Sequence, residues 1–293
     1  MSRTILVTGA SDGIGAVAAR RLAERGHRVL VTGRDRARTE AVAAAVGGTG
    51  FVADLSRLDD VRALAADVLA ATDGRLDVLV SNAGGILGLR RLTVDGNEAT
   101  MQVNHLAPFL LTHLLADALR AGAGIVVQTA SEAHRWGRIP IRATGADLTL
   151  RRGYSPGRAY GTAKLANVLF VRGVAAHLDD LHAVALHPGV VATSFGTGST
   201  SPLRLVYRGL ARRLLTSDEH AGETLAMLAA GTPGAEWAPM TTWTSGGYYD
   251  QRRVGRASRA THDPALVDAV WRASAAATGL PIHDLEANRA KNP

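Results

Sequence analysis

The chain has no cysteine. That excludes disulfides, thiolate metal sites and cysteine nucleophiles together. Lysine is nearly missing as well: Lys164 and Lys291 are the only two, and arginine carries the rest of the positive charge. Aromatic residues make up 4%, too few for an evident base-stacking platform. The net charge is +7, but the arginines are scattered rather than massed, so they read as a bland basic surface and not as a nucleic-acid face. No apolar run approaches the ~20 residues of a membrane span. Thr4–Thr8 is of strand length and leads directly into a glycine-rich turn, which is not the pattern of a secretory leader. These absences imply a soluble, cytoplasmic chain; a small-molecule partner, no metal and a monomeric or homodimeric state are the accompanying expectations.

Hydrophobic residues make up 46% of the 293, enough for one large core, and no composition break marks a linker. Short β-rich apolar runs alternate with amphipathic stretches, the pattern of βαβ units on a parallel sheet. The spacing predicts strands near 3–8, 28–32, 49–53, 76–81, 124–130, 181–187 and 247–250. Helices are expected near 14–25, 36–46, 57–72, 98–120, 156–178 and 218–230. The expected fold is α/β: one Rossmann-type domain over 1–293, a doubly wound parallel sheet with helices on both faces.

Gly9-Ala10-Ser11-Asp12-Gly13-Ile14-Gly15 follows the first strand and opens a helix. Glycines there let the backbone approach a pyrophosphate, and the free N–H groups of the helix start favour its charge. The second strand ends Thr32-Gly33-Arg34-Asp35, where a dinucleotide fold meets the adenosine ribose. An arginine there matches a 2′-phosphate, an acid a 2′-hydroxyl. Arg34 therefore favours NADP(H) over NAD(H), with Arg38 a second contact, while Asp35 leaves NAD(H) open. Asp54 and Leu55 after the third strand are placed to meet the adenine; an Asp capping the next helix is the other reading of Asp54.

Ser155-Pro156 reads as an N-cap and first helical residue. On the helix that follows, Tyr160 and Lys164 are four apart and share a face. A cation beside a phenol favours phenolate and brings its pKa down from ~10 towards working pH, as a general acid for carbonyl reduction requires.

With these parts together the chain resembles a classical short-chain dehydrogenase/reductase along nearly its whole length. Ser81-Asn82-Ala83-Gly84 is similar to the family's Asn-Asn-Ala-Gly, so the resemblance implies that Asn82, Ala83 and Gly84 line the cofactor site. Asn104, in Val103-Asn104-His105-Leu106-Ala107-Pro108, matches the family's helix asparagine, where a backbone kink holds a water linked to the lysine. Ser131, at the end of Ile125-Val126-Val127-Gln128-Thr129-Ala130-Ser131, matches the catalytic serine, with Thr129 the competing hydroxyl of that strand. His187-Pro188-Gly189-Val190-Val191-Ala192-Thr193 resembles the family's Pro-Gly turn, which implies cofactor contacts from Pro188, Gly189, Val191 and Thr193. His134, Trp136, Arg138 and the sequence around Tyr154 to Asn167 resemble the retinol-dehydrogenase-like and WW-domain-oxidoreductase-like branch. Arg158, four residues after Tyr154, cannot pass on a proton, so Tyr160 and not Tyr154 takes the catalytic role. A substrate lid is expected at about 194–216 and a helical tail at about 264–293.

The implied reaction is NADP(H)-dependent reduction of a ketone or aldehyde, or the reverse alcohol oxidation, on a small apolar substrate. Asn104, Ser131, Tyr160 and Lys164 form the catalytic set, with Tyr160 and Lys164 also touching cofactor. Two alternatives share the scaffold: a biosynthetic enzyme catalysing another step, such as epimerisation or dehydration, and a non-catalytic NADP-binding sensor or scaffold.

Overall fold

The computed structural model describes residues 2–143, 145–178, 180–190, 216–234 and 242–281. The expected positions Val191 and Thr193, most of the lid and the tail beyond 281 lie outside these. The chain runs β1 (Thr4–Thr8), α1 (Gly13–Glu24), β2 (Arg28–Gly33), α2 (Arg36–Ala45), β3 (Thr49–Val52), α3 (Leu58–Ala71) and β4 (Val78–Ser81). The short α4 (Ala99–Met101) leads through a π turn, Gln102–Leu106, into α5 (Ala107–Leu114) and α6 (Ala116–Ala121). Then come β5 (Ile125–Thr129), a hairpin of β6 (Ile141–Arg142) and β7 (Gly145–Ala146), α7 (Pro156–His177) and β8 (His182–His187). The order closes with α8 (Asp218–Ala230), the pair β9 (Thr232–Pro233) and β10 (Thr242–Trp243), β11 (Gly247–Asp250), β12 (Arg253–Val254) and α9 (Pro264–Thr278).

Eight strands form the main sheet in the order β12-β11-β8-β5-β4-β1-β2-β3. All neighbours are parallel except the β11–β12 pair at one edge. Strand order reverses between β1 and β4, and the carboxyl ends of strands flanking such a switch point bound a crevice. The period-2 alternation of each strand divides the core into two layers. Ile5 and Val7 of β1 join Val29, Val31, Val78, Val80, Ile125 and Val127 against α1 and α8. Leu6, Leu30, Leu79 and Val126 face the other way, against α3, α5 and α7.

The expected helix over 98–120 is interrupted. Pro108 lacks the N–H that an α-helix would give to the Asn104 carbonyl, and its ring crowds that oxygen. The backbone widens instead: Ala107 N donates to Gln102 O, one residue further back than α geometry allows. By contrast, α7 starts as the sequence implies, with Ser155 Oγ accepting from Arg158 N at 3.3 Å and Pro156 in the first turn.

Trp271 of α9 closes the layer around α5 and α7. It is 3% exposed, stacks on Phe170 at 5.8 Å between centroids and meets Phe109 edge-on at 5.1 Å. Trp271→Ala is expected to lower the unfolding free energy by about 3–5 kcal/mol, the usual range for emptying a buried aromatic site. Urea denaturation of both chains checks this.

Candidate active site

The crevice at the switch point is a cleft of about 480 Å³. Its walls include Gly9, Ser11, Asp12, Gly13 and Ile14 from the first turn, Gly33 and Arg34 after β2, Asp54 and Leu55 after β3, and Asn82, Ala83 and Gly84 after β4. Sequence reasoning named nearly all of these. It gave no site role to Thr32, Ala53 and Val103, nor to Gly85, Ile86, Leu87 and Arg91, which complete the wall; the last four lie in a loop without a recognisable motif.

Glycines are needed where backbones meet. Gly9 has φ +63, and a Cβ there would lie 2.7 Å from Ala83 Cα. Asn82 holds the turn from below: its Nδ2 donates to Thr8 O at 3.1 Å and Gly9 O at 3.2 Å. Thr8 Oγ1 in turn accepts from the backbone N–H groups of Asn82 and Ala83 at 3.0 and 3.1 Å. Thr8 is a positioning residue that the sequence reading passed over, although it sits at the strand end next to the motif. Asp12 caps α1 through Gly13 N at 2.8 Å. The chemistry of this lining, a glycine-rich helix start with a cation beside the second strand, fits a dinucleotide with its pyrophosphate on α1.

The acids near the ribose end resolve into structural roles. Asp35 caps α2, accepting from Arg38 N at 3.0 Å. Arg38 lies 3.5 Å from Asp12 and 3.7 Å from Asp35. Asp54 does not cap α3, whose N-cap is Arg57; it closes a local turn by accepting from Ser56 N at 2.9 Å while still lining the cleft. Among the described residues Arg34 and Arg91, the two cleft arginines, have no ion pair.

Behind Gly84 of the cleft wall, α7 presents Tyr160 and Lys164 on one face, with Lys164 Nζ 5.5 Å from the Tyr160 ring centroid. Lys164 is 1% exposed, and Nζ donates to Thr129 O at 2.9 Å. Burial brings its pKa down to about 7. Asn167, one turn on, donates to the same carbonyl at 3.3 Å; it belongs to the site though no role was assigned to it from sequence. Gly84 lies between Asn104 and Lys164: a Cβ there would meet Asn104 Oδ1 and come within 3.4 Å of Nζ. Asn104 itself grips the next residue, with Nδ2 to Gly85 O at 2.9 Å and Oδ1 accepting from Gly85 N at 3.0 Å.

Ser131 stands two residues beyond β5 and caps the 3₁₀ turn Glu132–Trp136, which packs against α7. Its Oγ accepts from Ala133 N at 3.2 Å, so that bond does not use the hydroxyl hydrogen. Gly137, just past the turn, abuts Gly161 and Leu165 of α7. Trp136 is 75% exposed and His134 fully buried. Arg138 N donates to Thr162 Oγ1 at 3.3 Å. Tyr154 is engaged elsewhere, its hydroxyl 3.0 Å from Gly88 O and 3.2 Å from Glu98 Oε1. Pro188 and Gly189 follow β8, where a Cβ on Gly189 would collide with Thr216.

The family model for short chain dehydrogenases matches residues 3–145. A candidate daunorubicin C-13 ketoreductase of Streptomyces sp. (strain C5) is 40% identical over 283 residues, covering 94% of this chain and 93% of the relative. The chain belongs to the short-chain dehydrogenase family. Human retinol dehydrogenase 12 is 38% identical over 233 residues, 76% of this chain and 72% of that protein, in keeping with the retinol-dehydrogenase-like branch. A crystal structure of an uncharacterised protein from Mycobacterium paratuberculosis superposes with a TM-score of 0.71 at 34% identity, covering 95% and 94% of the two chains. Membership makes the protein an oxidoreductase of CH–OH and C=O groups that binds a nicotinamide cofactor. Among the described residues no helix is long and apolar enough to cross a membrane, and no cluster of His, Cys, Asp and Glu could hold a metal.

The buried lysine has a cost that can be measured. Its folded pKa of about 7 lies below the ordinary lysine value of 10.5, so between those values the unfolded chain binds more protons and stability rises with pH. Lys164→Met should therefore stabilise the unliganded chain by about 1–3 kcal/mol near neutral pH. The gap should narrow as pH climbs towards 10.5. Calorimetric melting of both chains across this range checks both points.

Proposed function

We propose that the protein reduces a ketone or aldehyde with NADPH, and oxidises the corresponding alcohol in reverse, on a small apolar substrate. The observation that carries the reading is the placement of Tyr160 and Lys164 on one helix face, with Nζ 5.5 Å from the phenol ring centroid and next to Gly84 of the cleft wall. Gly9, Ser11, Asp12, Gly13, Ile14 and Gly15 would take the pyrophosphate, Asp54 and Leu55 the adenine, and Asn82, Ala83 and Gly84 the inner half. Pro188 and Gly189, with Val191 and Thr193 outside the described residues, would close the nicotinamide end. The bound nicotinamide supplies the hydride; the protein supplies orientation and the proton.

In this reading Ser131 donates its hydroxyl hydrogen to the substrate oxygen and holds it beside Tyr160. Tyr160 gives its proton to that oxygen as negative charge builds there. Lys164, held in place by the Thr129 carbonyl, favours the phenolate left behind. Asn104 fixes Gly85 and the wall next to Lys164, and the π turn leaves its own carbonyl without a Pro108 N–H, an acceptor for a water that resupplies the lysine. The relative with a ketoreductase name supports carbonyl reduction as the working direction. Tyr160→Phe is expected to bind NADPH within about twofold of the parent and to lose activity by a factor of 10² or more. Nucleotide fluorescence titration and initial rates on a panel of ketones, quinones and enals test it. Retention of most of the rate on every carbonyl would overturn the acid assignment.

The preference for NADP(H) rests on Arg34. It lines the cleft without an ion pair, while Asp35 is turned to the cap of α2 and Arg38 is held between two carboxylates. A guanidinium so placed suits a 2′-phosphate. Arg34→Ala is expected to raise the NADPH KM at least about tenfold, and the NADH KM by less than about twofold. Equal changes for the two cofactors would remove Arg34 from phosphate recognition.

A further inference from the structure

We infer that His134 is a positioning residue, a buried imidazole that bolts the main chain of Ser131 to the loop at Ser258 and so aims the serine hydroxyl. The inference rests on the role proposed for Ser131. His134 is 0% exposed. Its Nδ1 lies 2.7 Å from Ser131 O, and its Nε2 lies 3.0 Å from Ser258 N. A carbonyl can only accept and a backbone amide can only donate. Nδ1 therefore carries the hydrogen and Nε2 the lone pair: the ring is neutral and in one tautomer.

The geometry transmits to the serine. Ser131 O also accepts from His134 N at 3.0 Å, so one residue holds this carbonyl with two donors. The peptide that follows Ser131 cannot rotate without breaking both. Ser131 Oγ is held on its other side by Ala133 N, which leaves the hydroxyl hydrogen to point at a substrate. On the far side, Ser258 belongs to a segment that is gripped again where Arg135 Nη2 donates to Arg256 O at 2.6 Å. The imidazole lies 4.8 Å from the Tyr248 ring, and Tyr248 O–H donates to Glu132 Oε1 at 2.8 Å. The turn that bears Ser131 is thus tied to β11 and to the loop after β12 as well as to α7.

Charge on the ring would break the tie, because a hydrogen on Nε2 would face the Ser258 N–H. The titratable groups around it are Glu132 and Arg135 on its own turn, Tyr248 on β11 and His187 at the end of β8. Burial is the largest effect and moves the His134 pKa below 6.5, so the neutral tether holds at neutral pH.

Two variants separate positioning from packing. His134→Phe keeps a ring against Tyr248 and removes both side-chain hydrogen bonds. Ser258→Pro removes the amide donor together with a hydroxyl that has no hydrogen-bond partner among the described residues, at a residue whose φ of −63 and ψ of 153 already suit proline. His134→Phe is expected to lower kcat by about tenfold or more with NADPH affinity within about twofold, since a small misplacement of a positioned group can cost up to 10² in rate. Ser258→Pro should lower kcat by about two- to fivefold, again without loss of NADPH affinity. Imidazole ¹⁵N spectra of the parent should show the Nδ1–H tautomer at pH 7, and Ser258→Pro should move the His134 titration up towards 6.5.

The inference fails if the parent spectra show the other tautomer or a charged ring at pH 7. It also fails if Ser258→Pro, and His134→Phe where it folds, keep kcat within about twofold of the parent while Ser131→Ala is inactive; the proposed function then stands. Full activity in Ser131→Ala removes the proposed role of the serine itself, and the positioning role with it.

Discussion

The hydrogen bond from Lys164 Nζ to the Thr129 carbonyl is the contact on which the rest of the site depends. An ammonium that is 1% exposed stays inside a protein only if its surroundings hold it. The carbonyl is available because β5 ends at Thr129, and Asn167 shares it from the next turn of α7. The same bond ties α7 to the end of β5 one turn beyond Tyr160. Burial draws the lysine pKa down, so negative charge developing close to Nζ would favour its charged form.

Two kinds of device build the cleft. Its outer half is made of backbone: turns at the ends of β1, β2, β3 and β4, held by Thr8 and Asn82, with glycines where the chain passes closest to itself. Beside it stand side chains from three helical elements: α7, the π turn and the 3₁₀ turn after Ser131. The π turn links them. Without the widening forced at Pro108, Asn104 would continue a regular helix, and the grip on Gly85 that brings Gly84 next to Lys164 would be lost.

Much of this was legible in the residues. Apolar runs of strand length between amphipathic stretches located every strand of the main sheet except the two-residue β12, because central parallel strands buried on both faces leave an unbroken hydrophobic signature; the more exposed β3 carries a weaker one in Phe51 and Val52. Ser155-Pro156 marked the start of α7, and the glycine turn marked the cleft. The interruption near Asn104 was legible only through a family pattern, although Pro108 gives it a local cause. Asp54 and Asp35 could not be assigned from sequence, since an Asp after a strand suits a ribose, a turn or a cap equally well, and only the hydrogen-bond partner decides. Asn167 and His134 were out of reach for a different reason. The partners that give them roles, Thr129 and Ser258, are 38 and 124 residues away, and nothing in their own neighbourhoods points there.

The distribution of partners also separates what can vary from what cannot. Groups that would hold the dinucleotide bond to neighbours on the same few strand ends, so they form once the sheet has formed. Ser131 is different: its carbonyl is held by His134, His134 by Ser258, and Ser258 lies on a segment reached only after β11 and β12 are in place. The support of the serine is therefore completed by the last third of the chain, while the strand-end turns that line the cleft all lie in the first third. On the proposed roles, changes around Ser258 would reorient the serine and leave those turns untouched, which would give one scaffold a way to keep its cofactor while its carbonyl partner changes.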